Sequence, residues 1–172
     1  MVQDLIWFNS LSTADALNEL LKCCGSNRWA RQLAEERPFT TVDDLSRRSH
    51  DAWWSLAAED WLEAFRSHPR IGERKSANEV SDQAQAWSQQ EQSAVHNSAH
   101  SAVTELARLN EEYQQKFGYI FIVCASGKSS EEIIAILKQR LRSEKSTELQ
   151  IAAAEQEKIT ELRLRKLFGR GA

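Results

Sequence analysis

Apolar residues recur every three or four positions along most of this chain, which is the spacing of helices that bury one face. Ser, Thr and Asp residues precede several of these runs, as expected at helix starts. The first run begins at Ser12-Thr13-Ala14-Asp15 and stops at Gly25. The predicted helices cover approximately residues 12–24, 29–36, 41–56, 59–67, 88–117 and 129–141, and a last helix starts at Ser146. We therefore expect an all-α fold of about eight helices in a single domain over residues 1–172.

The stretch from Tyr119 to Ala125 departs from the helical pattern. It contains Ile120, Phe121, Ile122 and Val123 in succession, which is the composition of a buried strand. The sequence offers no partner strand for it. We interpret it as a buried extended segment whose main-chain N–H and C=O groups bond to something other than a sheet, and a ligand is one candidate.

His68 stands where a helix must end. The next residue, Pro69, lacks an N–H and disfavours α geometry in the residue before it, so the amphipathic run through Phe65 should stop near Ser67. An imidazole held at such a corner, with aromatic residues behind it, has a fixed direction. His68 is therefore a candidate catalytic acid or base. An irregular connection over residues 70–78 follows it.

The composition and charge exclude some classes of partner. The chain has 22 Lys and Arg against 25 Asp and Glu, a formal net charge of −3, and its basic residues are interspersed with acidic ones. Nucleic-acid binding is therefore disfavoured. No apolar run reaches the ~20 residues that cross a bilayer, and the N-terminus lacks the charged and apolar regions of a secretory signal. We expect no membrane partner.

The cysteines indicate a reducing setting. Three cysteines cannot all pair with one another, and Cys23 and Cys24 lie on a helical run as small apolar side chains. Cys124 lies in the apolar stretch, where a raised pKa makes a thiol a poor nucleophile. Residues 169–172 lack the Ser-Lys-Leu address of peroxisomal proteins. We therefore expect a cytoplasmic protein of bacterial origin.

The sequence from Ser88 to Gln92 has two interpretations. Ser88 and Glu91 match a capping box, in which the serine oxygen accepts from a helical amide and the glutamate folds back on the cap. The same geometry would place Ser88, Glu91 and Gln92 around a helix N-terminus, where unpaired N–H groups and the helix dipole favour anionic ligands. A structural cap and a ligand site are both compatible with the pattern.

Two other pairs of polar residues have competing explanations. His96 and His100 have the spacing of two metal ligands on a helix, but no glutamate lies between them and no third ligand is nearby in sequence. Solvent-facing histidines are therefore favoured. Arg163 and Arg165 lie near the end of the last helix, where basic side chains complement the helix dipole. Periodicity alone does not separate the two arginines.

In their order along the chain, these motifs resemble the OHCU decarboxylase family, from about Phe8 to Phe168. The matching positions are residues 7–9, 67–72, Ser88, Glu91-Gln92, Leu109-Asn110, Tyr113, 117–119, Arg140-Leu141, Glu148, Ile159 and Arg163-Leu164. Members of this family decarboxylate 2-oxo-4-hydroxy-4-carboxy-5-ureidoimidazoline (OHCU) to (S)-allantoin in urate breakdown. The ordered set is far more specific than any single motif in it.

The resemblance implies an all-α homodimer that acts on OHCU without a metal or organic cofactor. It places His68, Ser88, Glu91, Gln92 and Arg163 in the site, together with the main chain of residues 120–123. Within this site we expect His68 and Glu91 to act in catalysis. The residues that we expect to bind substrate are Pro69, Ser88, Gln92, Ile120, Phe121, Ile122, Val123 and Arg163. A non-enzymatic helical interaction module is the alternative, because it would also have amphipathic helices. A metal-dependent hydrolase that uses His96 and His100 ranks third.

Overall fold

The computed structural model describes residues 5–73, 80–96 and 98–169, and within them every regular element is a helix. The ten helices of these residues are α1 (Leu5–Ser10), α2 (Thr13–Cys23), α3 (Asn27–Glu35), α4 (Val42–Trp54), α5 (Ala58–Phe65), α6 (Asp82–Glu91), α7 (Ser93–His96), α8 (His100–Phe117), α9 (Ser130–Arg140) and α10 (Lys145–Phe168). The predicted all-α class is confirmed. None of these helices is both long and apolar enough to cross a membrane. Most of the irregular connection expected over residues 70–78 falls on 74–79, outside the described residues.

Side-chain caps explain where several predicted helices begin. The hydroxyls of Ser12, Ser26 and Thr41 each accept a hydrogen bond from the backbone N–H three residues later, at the starts of α2, α3 and α4. Ser129 does the same at α9, and Glu132 bonds back to the Ser129 N–H to complete a capping box. Such caps satisfy amides that have no partner inside the helix and contribute about 1 kcal/mol each. The helix starts predicted at Ser12, Thr41 and Ser129 are confirmed.

The single helix predicted over residues 88–117 is wrong, because α6, α7 and α8 take its place. α6 begins earlier than expected, since Ser81 is its N-cap and accepts from the N–H of Ala84. Its C-cap is Gln92. α8 begins only after Ala99, whose dihedral angles (φ −58°, ψ 147°) are not helical. Apolar periodicity continues across these breaks, so the hydropathy pattern does not reveal them.

The described residues form two compact units. The terminal unit comprises the residues up to Ala64 and those from Glu157 onwards, and the central unit runs from Phe65 to Gln156. The first half of α10 thus belongs to the central unit and its second half to the terminal unit. The single domain expected over residues 1–172 stays a prediction.

Aromatic side chains build the core of the terminal unit. Phe8 of α1 is fully buried, and its ring centre lies 4.7 Å from that of Phe168 and 6.3 Å from that of Phe39. The Asn9 side chain donates to the carbonyl of Phe39 at 2.8 Å and accepts from its N–H at 3.0 Å. These contacts explain why residues 5–10 form a helix that hydropathy alone does not predict.

A continuous apolar core fills the central unit and includes the extended segment. Its buried members are Ile71, Val95, Leu106, Leu109, Tyr113, Phe117, Phe121, Val123, Ala125, Ile133 and Leu137. Gly118 ends α8 in the left-handed conformation (φ 86°), which glycine adopts without steric cost. The chain then has no helix, strand or turn over residues 120–125, of which 121–125 are buried. The burial predicted for this segment from the sequence is confirmed.

Candidate active site

His68 is buried at the turn that follows α5, with 8% of its surface exposed. α5 ends at Phe65, and the N–H of His68 donates to the carbonyl of Phe65 at 3.1 Å. The ring is held by a side chain of α10, since Oε1 of Gln156 lies 2.7 Å from Nε2 of His68. The helix stop expected just before His68 is confirmed. The contact with Gln156 adds a restraint on the orientation of the ring.

The loop after His68 is anchored through its main chain. Nδ2 of Asn110 on α8 donates to the carbonyl of Ile71 at 2.9 Å. The N–H of Gly72 donates to Oε1 of Gln92 at 3.0 Å. Two consecutive residues of the loop are therefore tied to α8 and to the end of α6. Gln92, expected to bind substrate, is also a support for the loop that carries the histidine.

Ser88, Glu91 and Gln92 occupy the last turn of α6 and not its first. The cap predicted at Ser88 is wrong, because Ser81 caps this helix and Gln92 is its C-cap. Spacings of three and four residues place the three side chains on one face, and Ser88 and Gln92 are buried. The C-terminal end of a helix carries partial negative charge, so the helix dipole does not favour an anion here. Anion affinity must come from side chains or from other elements.

Side chains replace a strand as partners of the extended segment. Nη1 of Arg140 donates to the carbonyl of Ile122 at 2.6 Å, and the N–H of Cys124 donates to Oε2 of Glu155 at 2.7 Å. Nζ of Lys128 donates to the carbonyl of Cys124 at 2.8 Å. The expectation that this segment bonds outside a sheet is confirmed for these groups.

Cys124 lies among charged groups but is not a candidate nucleophile. Burial is the main cause that raises the pKa of its thiol, the positive charge of Lys128 opposes that rise, and the carboxylates of Glu155 and Glu91 add to it. The thiol therefore stays protonated, as expected from its apolar position. These electrostatic effects also place Glu91 in the surroundings of the extended segment.

Arg140 belongs to a buried ionic network that bonds to the main chain of the extended segment. Its Nε and Nη2 atoms lie 2.7 and 2.6 Å from Oε1 of Glu148, which is completely buried. Burial raises the pKa of the Tyr113 hydroxyl, which stays protonated and donates to the same oxygen. The Arg140 guanidinium also lies 4.6 Å from the ring centre of Phe121. The segment thus depends on a pair of buried opposite charges.

Arg163 lies on α10 in the terminal unit and is 3% exposed. Burial raises the pKa of Cys23 and Cys24, and the positive charge of Arg163 opposes that rise. Arg165 is exposed and pairs with Glu161 at 2.6 Å. The structure therefore separates the two arginines that periodicity left equivalent. Arg163 is a buried cation and Arg165 a surface residue.

Of the two histidines with metal-ligand spacing, only His100 has a side chain among the described residues. No group of three or more His, Cys, Asp or Glu side chains there is arranged to hold a metal ion. His100 is exposed at the start of α8, and the side chain of His96 lies outside the described residues. His100 is a suitable surface counterpart to His68 in mutational tests.

Sequence reasoning did not single out Gln156 as the partner of His68, nor Arg140 as the partner of Ile122. The spacing of both residues from buried apolar neighbours in sequence marks them as core positions. Arg140 follows the buried Leu137 by three residues on α9, and Gln156 follows the buried Ala152 by four on α10. A polar side chain at a core position of a helix is rare enough to mark a specific contact.

An open polar cleft on the terminal unit has a volume of about 610 Å³. Its lining residues are Asn27, Arg28, Arg31, Gln32, Glu35, Asp60 and Glu63. Arg28 lies 3.8 Å from Asp60, and the Asn27 side chain donates to Glu63 at 2.7 Å. None of the residues predicted to form the site lines this cleft.

Comparison with known proteins decides the family of this chain. The family model for OHCU decarboxylase matches residues 9–165. The chain belongs to the OHCU decarboxylase family. One relative, a uric acid degradation bifunctional protein of Arabidopsis thaliana, is 42% identical over 147 residues, which are 85% of this chain and 45% of the plant protein. The matched residues therefore cover less than half the length of that relative.

Two further comparisons cover nearly whole chains of the OHCU decarboxylase family. The 2-oxo-4-hydroxy-4-carboxy-5-ureidoimidazoline decarboxylase of Haloferax volcanii is 30% identical over 158 residues, 91% of this chain and 89% of its own. A crystal structure of OHCU decarboxylase in the presence of (S)-allantoin has a TM-score of 0.75 and 40% sequence identity, over 89% of this chain and 99% of that one. The fold and the family thus agree with each other.

Proposed function

We propose that this OHCU decarboxylase family member converts OHCU to (S)-allantoin and CO2 in urate breakdown. The observation that carries the proposal is the buried imidazole of His68. Its ring is hydrogen-bonded to Gln156, and the loop that follows it is hydrogen-bonded to Gln92. Glu91 and residues 120–123 belong to the same unit. The Haloferax volcanii relative bears the name of this activity.

The chemistry requires little beyond orientation, charge stabilisation and proton transfer. When the bond to the carboxylate breaks, CO2 leaves and the electron pair enters the ring, where the adjacent C=N bond accepts it. The ring nitrogen that accepted the charge takes one proton, and the ureido-bearing carbon takes a second on one face. The hydroxyl of the neighbouring carbon loses its proton and becomes a carbonyl. The reaction consumes one proton in total and needs no oxidant or reductant, so preorganised donors and a positioned acid or base suffice.

The roles that we propose follow from the chemical types of the side chains. His68 and Glu91 share the proton transfers. Arg163 pairs with an anionic or carbonyl oxygen of the ligand, which is the usual role of a buried guanidinium that meets an anion. The groups that orient the ring are Pro69, Ser88, Gln92 and the main chain of Ile120, Phe121, Ile122 and Val123.

Stereochemistry provides the sharpest test of this activity. Freshly generated product of urate oxidation is mixed with the purified protein, and circular dichroism follows the formation of allantoin. We expect (S)-allantoin to form faster than the spontaneous reaction, which gives the racemate. Dialysis against a chelator should leave the rate unchanged, since we propose that no metal takes part. Racemic allantoin at the spontaneous rate would refute the proposed function.

We also propose that the protein is a cytoplasmic homodimer. The dimer is supported by the resemblance to the family, and the cytoplasm by three cysteines that are free thiols. Sedimentation equilibrium should give twice the chain mass of 19.6 kDa. A monomeric mass at micromolar concentration would contradict the dimer and leave the activity proposal untouched.

A further inference from the structure

Gln156 is a buried polar residue that none of the roles above uses. It has no exposed surface, and its neighbours Ala152 and Ala153 on α10 are fully buried apolar residues. Its Oε1 atom lies 2.7 Å from Nε2 of His68. Burying an amide is costly unless its hydrogen bonds are made, so a glutamine at a core position indicates a specific partner. Here that partner is the imidazole of His68, the candidate acid or base.

The amide oxygen of Gln156 faces the ring, and this orientation indicates which imidazole nitrogen carries hydrogen. An amide oxygen only accepts hydrogen bonds, so Nε2 of His68 must donate. In the neutral ring the other nitrogen, Nδ1, then carries the lone pair. An amide is also neutral at every pH of interest. Unlike a carboxylate, Gln156 therefore orients the ring without favouring its cationic form.

We propose that Gln156 is a positioning residue that holds His68 with hydrogen on Nε2, so that Nδ1 is the nitrogen that exchanges a proton during the reaction. The inference rests on the proposed function of His68. It explains why an amide, and not a carboxylate, meets the imidazole. A carboxylate at position 156 would instead bias the ring towards imidazolium.

The tautomer can be observed directly in the unmodified protein. Nitrogen-15 NMR of protein labelled at histidine distinguishes protonated from unprotonated ring nitrogens, and His68→Asn assigns the His68 signals by their loss. We expect Nε2 to carry hydrogen and Nδ1 to be unprotonated at a pH where the ring is neutral. A ring with hydrogen on Nδ1 would overturn the inference, whether or not the protein is active.

Two substitutions of Gln156 test its effect on the reaction. Gln156→Glu should raise the titration midpoint of His68 by about one pH unit or more, because an adjacent negative charge favours imidazolium. The limb of the kcat profile that reports His68 should move to higher pH with it. Gln156→Met keeps the volume but removes the acceptor, and it should lower kcat by about 10- to 100-fold with little change in KM, since the ring loses its direction.

Gln150 provides a matched control, since it lies on the same helix but is exposed. Gln150→Glu and Gln150→Met should leave the His68 titration, the pH profile and kcat unchanged. If Gln156→Glu does not fold, the kcat of Gln156→Met and the tautomer of His68 in the unmodified protein still test the proposal.

The two proposals fail in distinguishable ways. Racemic product from the unmodified protein would reject the proposed function. Enantioselective turnover that is unaffected in folded Gln156→Met, with an unshifted His68 midpoint in Gln156→Glu, would reject the role of Gln156 and leave the function standing.

Discussion

At the scale of the residue, His68 is restrained through its main chain and through its ring. Its main chain follows α5 and precedes the buried Pro69, and its ring meets Gln156 at 2.7 Å. A group that is already oriented loses little entropy on reaching the geometry of proton transfer. We therefore expect substitution of His68 to affect turnover far more than folding.

His68→Asn removes the titrating ring but keeps a small polar side chain beside Gln156. Turnover of OHCU should fall by about 10²- to 10⁴-fold, the usual contribution of a positioned acid or base. Far-UV circular dichroism should be unchanged. His100→Asn, on an exposed histidine of α8, should behave as the unmodified protein. Near-normal turnover in folded His68→Asn would remove this residue from the mechanism.

Arg163→Ala should act mainly on binding, because the proposed partner of this cation is an oxygen of the substrate. We expect KM to rise about tenfold or more, with a smaller effect on kcat. Arg163→Lys should be intermediate, since it keeps the charge and loses the planar fork. Arg165→Ala, on the exposed neighbour, should leave KM unchanged. A normal KM in folded Arg163→Ala would instead favour a role confined to the helix dipole.

At the scale of the element, the extended segment is the part least able to stabilise itself. A helix satisfies its own main chain, whereas the main chain of Ile122 bonds to Arg140 and that of Cys124 to Glu155 and Lys128. Arg140 is in turn held by Glu148. The geometry of the segment therefore depends on the integrity of a buried ion pair on two helices.

Arg140→Met should destabilise the protein by about 3–5 kcal/mol, because it leaves the carboxylate of Glu148 buried without its partner. Urea denaturation measures the loss. The double variant Arg140→Met with Glu148→Leu should recover part of it, since both charges are then gone. Arg108→Ala breaks an exposed pair on α8 and should have no measurable effect. A loss below about 1 kcal/mol in Arg140→Met would show that Glu148 finds another partner.

Local signals explain which elements could be predicted from the sequence. The starts of α2, α4 and α9 depend on a serine or threonine and the amide three residues later, so a short stretch contains the whole cause. The end of α6 is different, because Gln92 bonds to Gly72, twenty residues earlier. No local pattern encodes that contact, and the pattern of Ser88, Glu91 and Gln92 therefore predicts a helix start where α6 ends.

The same distinction applies to the candidate site. The helix stop at His68 follows from Pro69, its neighbour in sequence. The partner of its ring lies 88 residues away on α10, and only the packing of α10 brings it there. Likewise, the composition of residues 120–123 predicts that this segment is buried. Its contact with Arg140 is not predictable in this way, because it depends on how α9 packs in the central unit.

At the scale of the whole molecule, buried thiols couple stability to alkaline pH. All three cysteines are free and buried. Burial raises the pKa of Cys24 from 9.0 to about 11, and a backbone hydrogen bond at Ser26 offsets only part of the rise. Burial also raises the pKa of Cys23 and of Cys124. In the unfolded chain these thiols ionise near their ordinary pKa of 9.0.

The free energy of unfolding should therefore fall as the pH rises above about 9. Between pH 9 and 11 the unfolded chain binds fewer protons than the folded protein, so the contribution of Cys24 is complete below this range and lost through it. The slope is at most about 1.4 kcal/mol per pH unit for each thiol. Urea denaturation at a series of pH values measures it. Cys24→Ala should show a shallower slope, and an identical slope would contradict the assignment.

Recognition through a main chain has a consequence for how relatives diverge. Backbone N–H and C=O groups are the same whatever side chain they carry. In the proposed site, residues 120–123 can therefore vary within the limits of an apolar core while the substrate still meets the same main-chain atoms. The constraint moves to the side chains that hold this main chain in place, at positions 140, 148 and 155. Among distant homologues, joint retention of an arginine and a glutamate at 140 and 148 should therefore be a better sign of shared chemistry than identity within the segment.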